Sequence, residues 1–151
     1  MKENIYIHYG NTRFDKNLFK PIKNDFFIKP NGGLWASPID AKYGWKDWNE
    51  DSNYIKCRED NCFRFRLKDN ARVCVINKLE DLALLPLNKM MAIYDFMGER
   101  EYKFLDFEQI VTLGYDAILE NLSNDNRLYW ALYGWDCDSL LVFNKDIVEE
   151  I

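Results

Sequence analysis

The sequence predicts one α+β domain with a curved, mostly antiparallel sheet and a few short helices. The chain has 151 residues, close to the commonest size of a single domain, and 48% of them are apolar, which is enough for a core. Short apolar runs bounded by glycine, proline or charged residues recur along the chain and indicate about six strands. Three stretches suit short helices, so we assign residues 1–151 to a single domain.

The first third of the chain carries two predicted strands, over residues 4–9 and 34–37. Polar sequence separates them and holds one short apolar piece at residues 26–28. A pair of glycines leads into the second strand, and the proline that follows ends it because proline cannot donate to a sheet ladder. Asp40 then predicts the start of a helix over residues 41–49, since aspartate is a favoured N-cap.

The middle of the chain predicts a hairpin or meander. Residues 62–67 alternate apolar and polar side chains, which is typical of a half-buried strand, and residues 72–77 form the next strand. The Asp-Asn pair at residues 69–70 is a turn signal between them. A helix with leucines at helical spacing opens at residue 77 or 78 and ends at Pro86.

The last third of the chain predicts a second capped helix and two more strands. Asp106 is an N-cap, and Gly114 is a C-cap for the short helix between them. Residues 88–104 carry no clear pattern. The remaining predictions are strands over 115–122 and 138–144, a helical turn over 128–133 and a frayed end over 146–150.

Charge, cysteine spacing and hydropathy argue against several classes of protein. A net charge of −5 and a pI of about 5.0 disfavour binding to phosphate backbones, although four lysines between residues 16 and 29 leave room for a local basic cleft. The four cysteines form no C-x-x-C pair and the chain has one histidine, so we expect no metal site. No signal peptide and no apolar run of about 18 residues is present, so we expect a cytoplasmic protein with reduced thiols and no membrane contact.

Two short segments carry the residues best suited to binding a ligand. His8, the sole histidine of the chain, ends the first predicted strand, and Tyr9 and Gly10 follow it. The second predicted strand carries Trp35 and Ser37. If these two strands lie side by side, they form a cleft that can hold a ribose and stack a flat heteroaromatic ring.

These segments resemble motifs of the ADP-ribosyltransferase-like superfamily, the fold of diphtheria-type toxins, poly(ADP-ribose) polymerases and many bacterial and phage enzymes. Residues 8–10 are similar to its first motif, a histidine at a strand end followed closely by a small residue, and residues 33–37 to its second. Residues 138–144 lie where the third motif usually has a glutamate that starts a strand. Residues 128–136 with the strand that follows are similar to an uncharacterised bacterial and phage branch.

The resemblance implies a split sheet and NAD as the substrate, with ADP-ribose passed to an unknown macromolecular acceptor, protein or nucleic acid. His8 is then expected to hydrogen-bond a ribose hydroxyl on the adenosine side. The backbone of Tyr9 or Gly10 is expected to hold the carboxamide, because glycine lets a ligand approach the backbone closely.

The same resemblance assigns the ring-binding and ribose-supporting residues. Trp35 or Tyr43 is expected to stack on nicotinamide, which any flat aromatic side chain can do. Ser37 is expected to support the ribose or the acidic group.

The transition state of ADP-ribose transfer is oxocarbenium-like, so a carboxylate near the sugar is needed. Asp138 is the expected acid, at the position of the third motif. Asp136 shares its face if the strand alternation extends that far, and Glu120 on the preceding strand is another candidate.

Two other functions remain open. The first is a catalytically silent domain of the same fold that acts as a protein-binding module, which an exposed patch at Trp45 and Trp48 without a deep pocket would favour. The second is a small hydrolase unrelated to NAD, supported only by the paired carboxylates of Asp136 and Asp138.

Overall fold

The α+β fold predicted from the sequence is confirmed by a computed structural model, which describes residues 3–25, 29–89, 93–95, 98–100, 103–132 and 134–151. Among these residues, the α-helices are α1 (Trp45–Ser52), α2 (Phe107–Thr112) and α3 (Asn126–Ala131), with 3-10 turns at Lys16–Leu18, Leu79–Leu84, Leu122–Asn124 and Lys145–Ile147. No helix in the described ranges is long and apolar enough to cross a membrane. The strands, in chain order, are β1 (Tyr6–Tyr9), β2 (Leu34–Pro38), β3 (Cys62–Leu67), β4 (Val73–Ile76), β5 (Leu87–Lys89), β6 (Ile93–Asp95), β7 (Gly98–Arg100), β8 (Lys103–Leu105), β9 (Ala117–Glu120), β10 (Ser139–Val142) and β11 (Val148–Glu150).

Seven of the described strands form one sheet, in the order β11-β3-β1-β2-β10-β9-β4. Every neighbouring pair in it is antiparallel except β4 and β9, which run parallel. The segment without a sequence prediction contains two small ladders, β5 with β8 and β6 with β7. The sheet is therefore mostly antiparallel, as expected from the sequence.

The sheet is split between β1 and β2. Their ladder contains only the pairs Tyr6–Pro38 and Ile7–Ser37, whereas β1 pairs with β3 over four positions and β2 pairs with β10 over three. The expected adjacency of the histidine-bearing strand and the tryptophan-bearing strand is thus confirmed. Beyond Ile7, the two halves of the sheet are no longer joined by backbone pairs, which leaves space between the ends of β1 and β2.

Two apolar clusters cover the two faces of the sheet. Alternation along β10 sends Leu141 into one cluster and Leu140 and Val142 into the other. The first cluster packs helices α2 and α3 onto the sheet around Trp135, and the second is built around Phe65. All three β10 side chains are fully buried, so this strand forms the centre of the fold.

The predicted hairpin of the middle segment is wrong. Strands β3 and β4 form within the predicted ranges, but β3 pairs with β1 and β11 while β4 lies at the opposite edge of the sheet beside β9. Asp116 directs this crossing, because its carboxylate accepts from the backbone N–H of Arg72 at 2.8 Å and its own N–H donates to the Arg72 carbonyl at 2.8 Å. A turn signal predicts a reversal of the chain but does not say which strands pair.

The predicted helix boundaries hold in one case and shift in another. Helix α2 is capped as predicted, with the Asp106 side chain accepting from Gln109 N at 3.0 Å and Gly114 in a left-handed conformation after its end. The helix predicted over residues 41–49 instead begins at Trp45, because Gly44 rather than Asp40 is the N-cap. Ser37, from the neighbouring strand, accepts from Trp45 N at 2.8 Å.

The end of the chain is ordered rather than frayed. Residues 148–150 form β11, which pairs with β3 and completes one edge of the sheet. The strand predicted over 115–122 is shorter and ends at Glu120. The apolar piece predicted at residues 26–28 lies outside the described residues.

Candidate functional site

A cavity of about 240 Å³ opens where the sheet is split. Strands β1 and β2 contribute five of its lining residues, and the first residue of α1, the first residue of β10 and Lys29 contribute the others. It is lined by Ile7, His8, Tyr9, Lys29, Trp35, Ala36, Trp45 and Ser139. Three of the predicted binding residues, on two different strands, therefore meet at one cavity.

His8 joins the two halves of the split sheet with its side chain. Its Nδ1 lies 2.6 Å from the carbonyl oxygen of Trp35, and because a carbonyl only accepts, Nδ1 carries the proton. Burial lowers the pKa of His8, although its bond to Trp35 opposes this shift, so the ring is neutral at pH 7. No described residue hydrogen-bonds Nε2, which leaves this atom as an acceptor at the cavity.

The side chains of His8 and Trp35 belong to opposite faces of the sheet. The His8 ring packs against Phe63, with 5.1 Å between ring centroids, whereas the Trp35 ring packs against Trp135 at 4.7 Å. They meet only because the ladder between β1 and β2 stops at Ile7, which frees the His8 ring to reach the Trp35 backbone. His8 therefore borders the cavity beside the Trp35 backbone and does not face the indole ring.

The aromatic wall of the cavity consists of Trp35 and Trp45, and a lysine lies over both. The Nζ atom of Lys29 is 4.5 Å from the Trp35 ring centroid and 5.2 Å from that of Trp45. Burial lowers the pKa of Lys29, and the carboxylate of Asp136 partly offsets this. The cavity thus already binds a cation between two indole faces.

Lys29 also lines a neighbouring groove of about 560 Å³ that shares Trp35 with the cavity. Lys20 and the backbone of Gly32 and Gly33 form other parts of its wall. The local basic cleft considered from the sequence therefore involves two of the four lysines. The other two, Lys16 and Lys23, form surface salt bridges with acidic side chains.

Ser37 and Tyr43 both contact Asp138, but each does so through hydrogen bonds to the Asp138 backbone and not to its carboxylate. The Ser37 hydroxyl donates to the Asp138 carbonyl at 2.9 Å, and Asp138 N donates to the Tyr43 carbonyl at 2.9 Å. The Tyr43 hydroxyl donates to Asp51 at 2.7 Å, which raises the pKa of Tyr43 to about 12. None of these three side chains lines the cavity.

The Asp138 carboxylate faces a different groove, of about 670 Å³. It accepts from Ser123 N at 2.8 Å and from the Ser123 hydroxyl at 2.7 Å, so both of its oxygens have partners. The β10 side chain at the cavity is the next one, Ser139. Asp136 lines the same groove as Asp138 and has φ of 67°, a left-handed conformation that aspartate tolerates.

Glu120 is sealed inside the protein. It is fully buried opposite Ser139, and neither carboxylate oxygen has a hydrogen-bond partner in the described structure. Burial raises the pKa of Glu120 well above its usual range, which favours the neutral carboxylic acid. A neutral carboxylic acid supplies no charge to a developing cation.

Gly10 adopts a conformation that requires glycine. Its φ is 118°, and a β-carbon built there would lie 3.8 Å from His8 Nε2. That distance is ordinary van der Waals contact, so the backbone conformation, and not a lack of space, requires glycine at this edge of the cavity.

Sequence reasoning did not assign Lys29, Trp45 or Ser139 to the cavity. Lys29 stood in a lysine-rich run and Trp45 in a candidate surface patch, but no pattern placed either of them beside Trp35. Comparison of the chain with protein-family models, curated proteins and solved structures gave no match. What the chain does is therefore inferred from the cavity and the groups around it.

Proposed function

We propose that the chain binds NAD at the split of the sheet and transfers ADP-ribose to a macromolecular acceptor with release of nicotinamide. The observation that carries this proposal is the neutral His8, whose Nε2 is an open acceptor at the cavity that Trp35 and Trp45 also line. An acceptor suits a ribose hydroxyl, and two indole faces suit a flat cationic ring.

The position of Lys29 suggests how NAD enters. The nicotinamide ring of NAD is cationic, so it takes the place of the Lys29 ammonium over the two indoles. Lys29 then faces the neighbouring groove together with Lys20, where a bound pyrophosphate pairs with both ammonium groups. The cavity of about 240 Å³ is below the usual 300–1,000 Å³ of ligand sites, so it holds one half of the dinucleotide and the groove holds the rest.

In the transfer itself, the bond between the nicotinamide nitrogen and the ribose C1′ breaks, and its electron pair leaves with nicotinamide. A nucleophilic atom of the acceptor forms the new bond to C1′ and loses its proton to solvent. Asp138 is the acid we propose to offset the positive charge on the sugar, acting from the groove of about 670 Å³ across the side chains that separate it from the cavity. All four cysteines are free thiols, which supports a reducing compartment, and we propose the cytoplasm.

A second function is favoured by one specific observation. None of the described residues that line the cavity is a carboxylate, and the Asp138 side chain is held by Ser123 in the other groove. A cavity that lacks a carboxylate can bind a ligand or a protein partner without catalysing transfer, which is what a catalytically silent module would do.

Calorimetry with NAD, followed by mass analysis of released nicotinamide, separates these possibilities. Binding with release supports the transferase, binding without release supports the silent domain, and no binding refutes the NAD site.

A matched pair of His8 variants tests the role of each ring nitrogen. His8→Asn keeps a donor near the position of Nδ1 for the Trp35 carbonyl and removes the acceptor at the position of Nε2. We therefore expect the binding free energy of NAD to weaken by about 1–3 kcal/mol, with little change in melting temperature. His8→Gln keeps a polar atom near Nε2 and loses the Trp35 bond, so stability should fall instead. Equal NAD affinity in wild type and His8→Asn would contradict the proposed site.

A further inference from the structure

The groove of about 670 Å³ that Asp136 and Asp138 line lies beside the cavity, and its lining differs in chemistry from that of the cavity. Its walls combine aromatic rings with two carboxylates, and among the residues that the structure describes none of those lining it is basic. We propose that this groove binds an arginine side chain of a protein segment, so that the macromolecular acceptor is a basic protein and not a nucleic acid. That the bound protein accepts ADP-ribose rests on the proposed function, whereas the binding of arginine by the groove is independent of it.

The aromatic surfaces come from two helices. Trp48 lies on α1, Tyr129 and Trp130 lie on α3, and all three line the groove. Trp130 is 74% exposed and Tyr129 is 43% exposed, which is unusual for such large rings. The guanidinium of arginine is planar and weakly hydrated, and it stacks on such rings better than the ammonium of lysine does.

The charges around the groove are complementary to a cation. Asp136 and Asp138 line it, and Asp136 has no hydrogen bond or salt bridge with any described residue. The one basic residue of α1, Lys46, pairs with a glutamate, and the one basic residue of α3, Arg127, is held by two carboxylates. Lys29, at the cavity, interacts electrostatically with Asp136 but does not line the groove. The surface of the groove itself therefore carries carboxylates and no described basic group, which favours arginine over phosphates.

The groove and the cavity are adjacent. Trp45 of the cavity stacks on Trp48 of the groove, with ring centroids 5.2 Å apart and planes inclined by 13°. On the other side, Ser139 of the cavity lies 3.5 Å from Cys137 of the groove, measured between Oγ and Sγ. A side chain held in the groove is thus separated from a ligand in the cavity by one layer of side chains.

The test is a titration of isotope-labelled full-length protein, without NAD, with a short glycine–serine peptide that carries one central arginine. We expect the indole N–H signals of Trp48 and Trp130 to move while that of the buried Trp135 stays in place. The same peptide with citrulline, which keeps the shape and loses the charge, should bind at least tenfold more weakly. A thymidine oligonucleotide should cause no shift at these rings.

Two groove variants and two matched controls complete the test. Asp136→Asn, which suits the left-handed backbone, should weaken the arginine peptide about tenfold, and Trp130→Ala about threefold. Asp146→Asn and Leu84→Ala, both exposed and outside the groove, should change nothing.

Three results would overturn the proposal: equal binding of the citrulline peptide, shifts caused by the oligonucleotide, or no shift at millimolar arginine peptide. Because NAD is absent, failure here with intact NAD binding rejects the groove alone. Arginine binding in a protein that does not bind NAD rejects the cavity proposal alone.

Discussion

Glu120 makes the stability of this protein depend on pH in an unusual direction. Its carboxyl group is fully buried and has no hydrogen-bond partner in the described structure. Burial raises its pKa well above the ordinary value of 4.5, so the folded state keeps a proton that the unfolded state loses. The contribution of Glu120 to the free energy of unfolding is therefore fully present below pH 4.5 and declines as the pH rises toward the pKa of the folded state.

The replacement Glu120→Gln keeps the size and polarity of the side chain but cannot ionise. Over the pH range in which Glu120 is ionised only in the unfolded state, each pH unit lowers the free energy of unfolding of the wild type by about 1.4 kcal/mol. Between pH 5 and pH 7, the variant should therefore gain up to about 2.7 kcal/mol relative to the wild type.

Urea unfolding of both proteins at pH 5, 6, 7 and 8 measures this difference. His8 titrates in the same window with the opposite sign, because its lowered pKa makes the fold less stable as the pH falls below 6.5. Both proteins carry His8, so the difference between them isolates Glu120. Glu50→Gln, at an exposed position on α1, is the control and should show no such trend. A difference between wild type and Glu120→Gln that does not change with pH would refute a neutral, unpartnered Glu120.

Two further replacements test the proposed acid and the start of α1. Asp138→Asn should lower nicotinamide release by about two orders of magnitude and leave NAD affinity unchanged, because the amide loses the charge and its side chain lies outside the cavity. Ser37→Ala should lower the free energy of unfolding, measured in urea, by about 1–2 kcal/mol, because the hydroxyl accepts from Trp45 N and donates to the Asp138 carbonyl.

Each of these has a matched control. Asp136→Asn and Glu120→Gln should cost much less nicotinamide release than Asp138→Asn, and full activity in all three would place the acid elsewhere. Ser52→Ala, at the exposed end of α1, removes only a bond to the Trp48 carbonyl and should change stability by less than about 0.5 kcal/mol. A similar loss in both serine variants would show that Ser37 does not hold the helix start.

Local chemistry was enough to predict many of the elements. Alternation over Cys62–Leu67 predicted β3 with its observed bounds, because a strand with one buried face needs every second side chain to be apolar. Asp106 and Gly114 predicted the two ends of α2, because capping depends on groups within one turn of the helix. The histidine and tryptophan segments were correctly expected to be neighbouring strands.

Pairing and orientation depended on contacts between distant parts of the chain. The sequence predicts the turn after β3 correctly. The strand that follows nevertheless lies at the other edge of the sheet, where Asp116, more than 40 residues away, accepts a hydrogen bond from the backbone N–H of Arg72. Helix α1 starts late because Ser37 of β2 caps it, and no signal within residues 40–49 reports that bond.

What the sequence alone determined is the fold class, most strands and the pair of segments that border the cavity, because these follow from local periodicity and turn chemistry. Only the tertiary structure decided which side chains share a space. It brought Lys29, Trp45 and Ser139 to the cavity and turned Asp138 toward Ser123 in the groove of about 670 Å³. The physical reason is that the side chains of successive strand residues point to opposite faces, so a site on one face depends on how strands far apart in the chain are aligned.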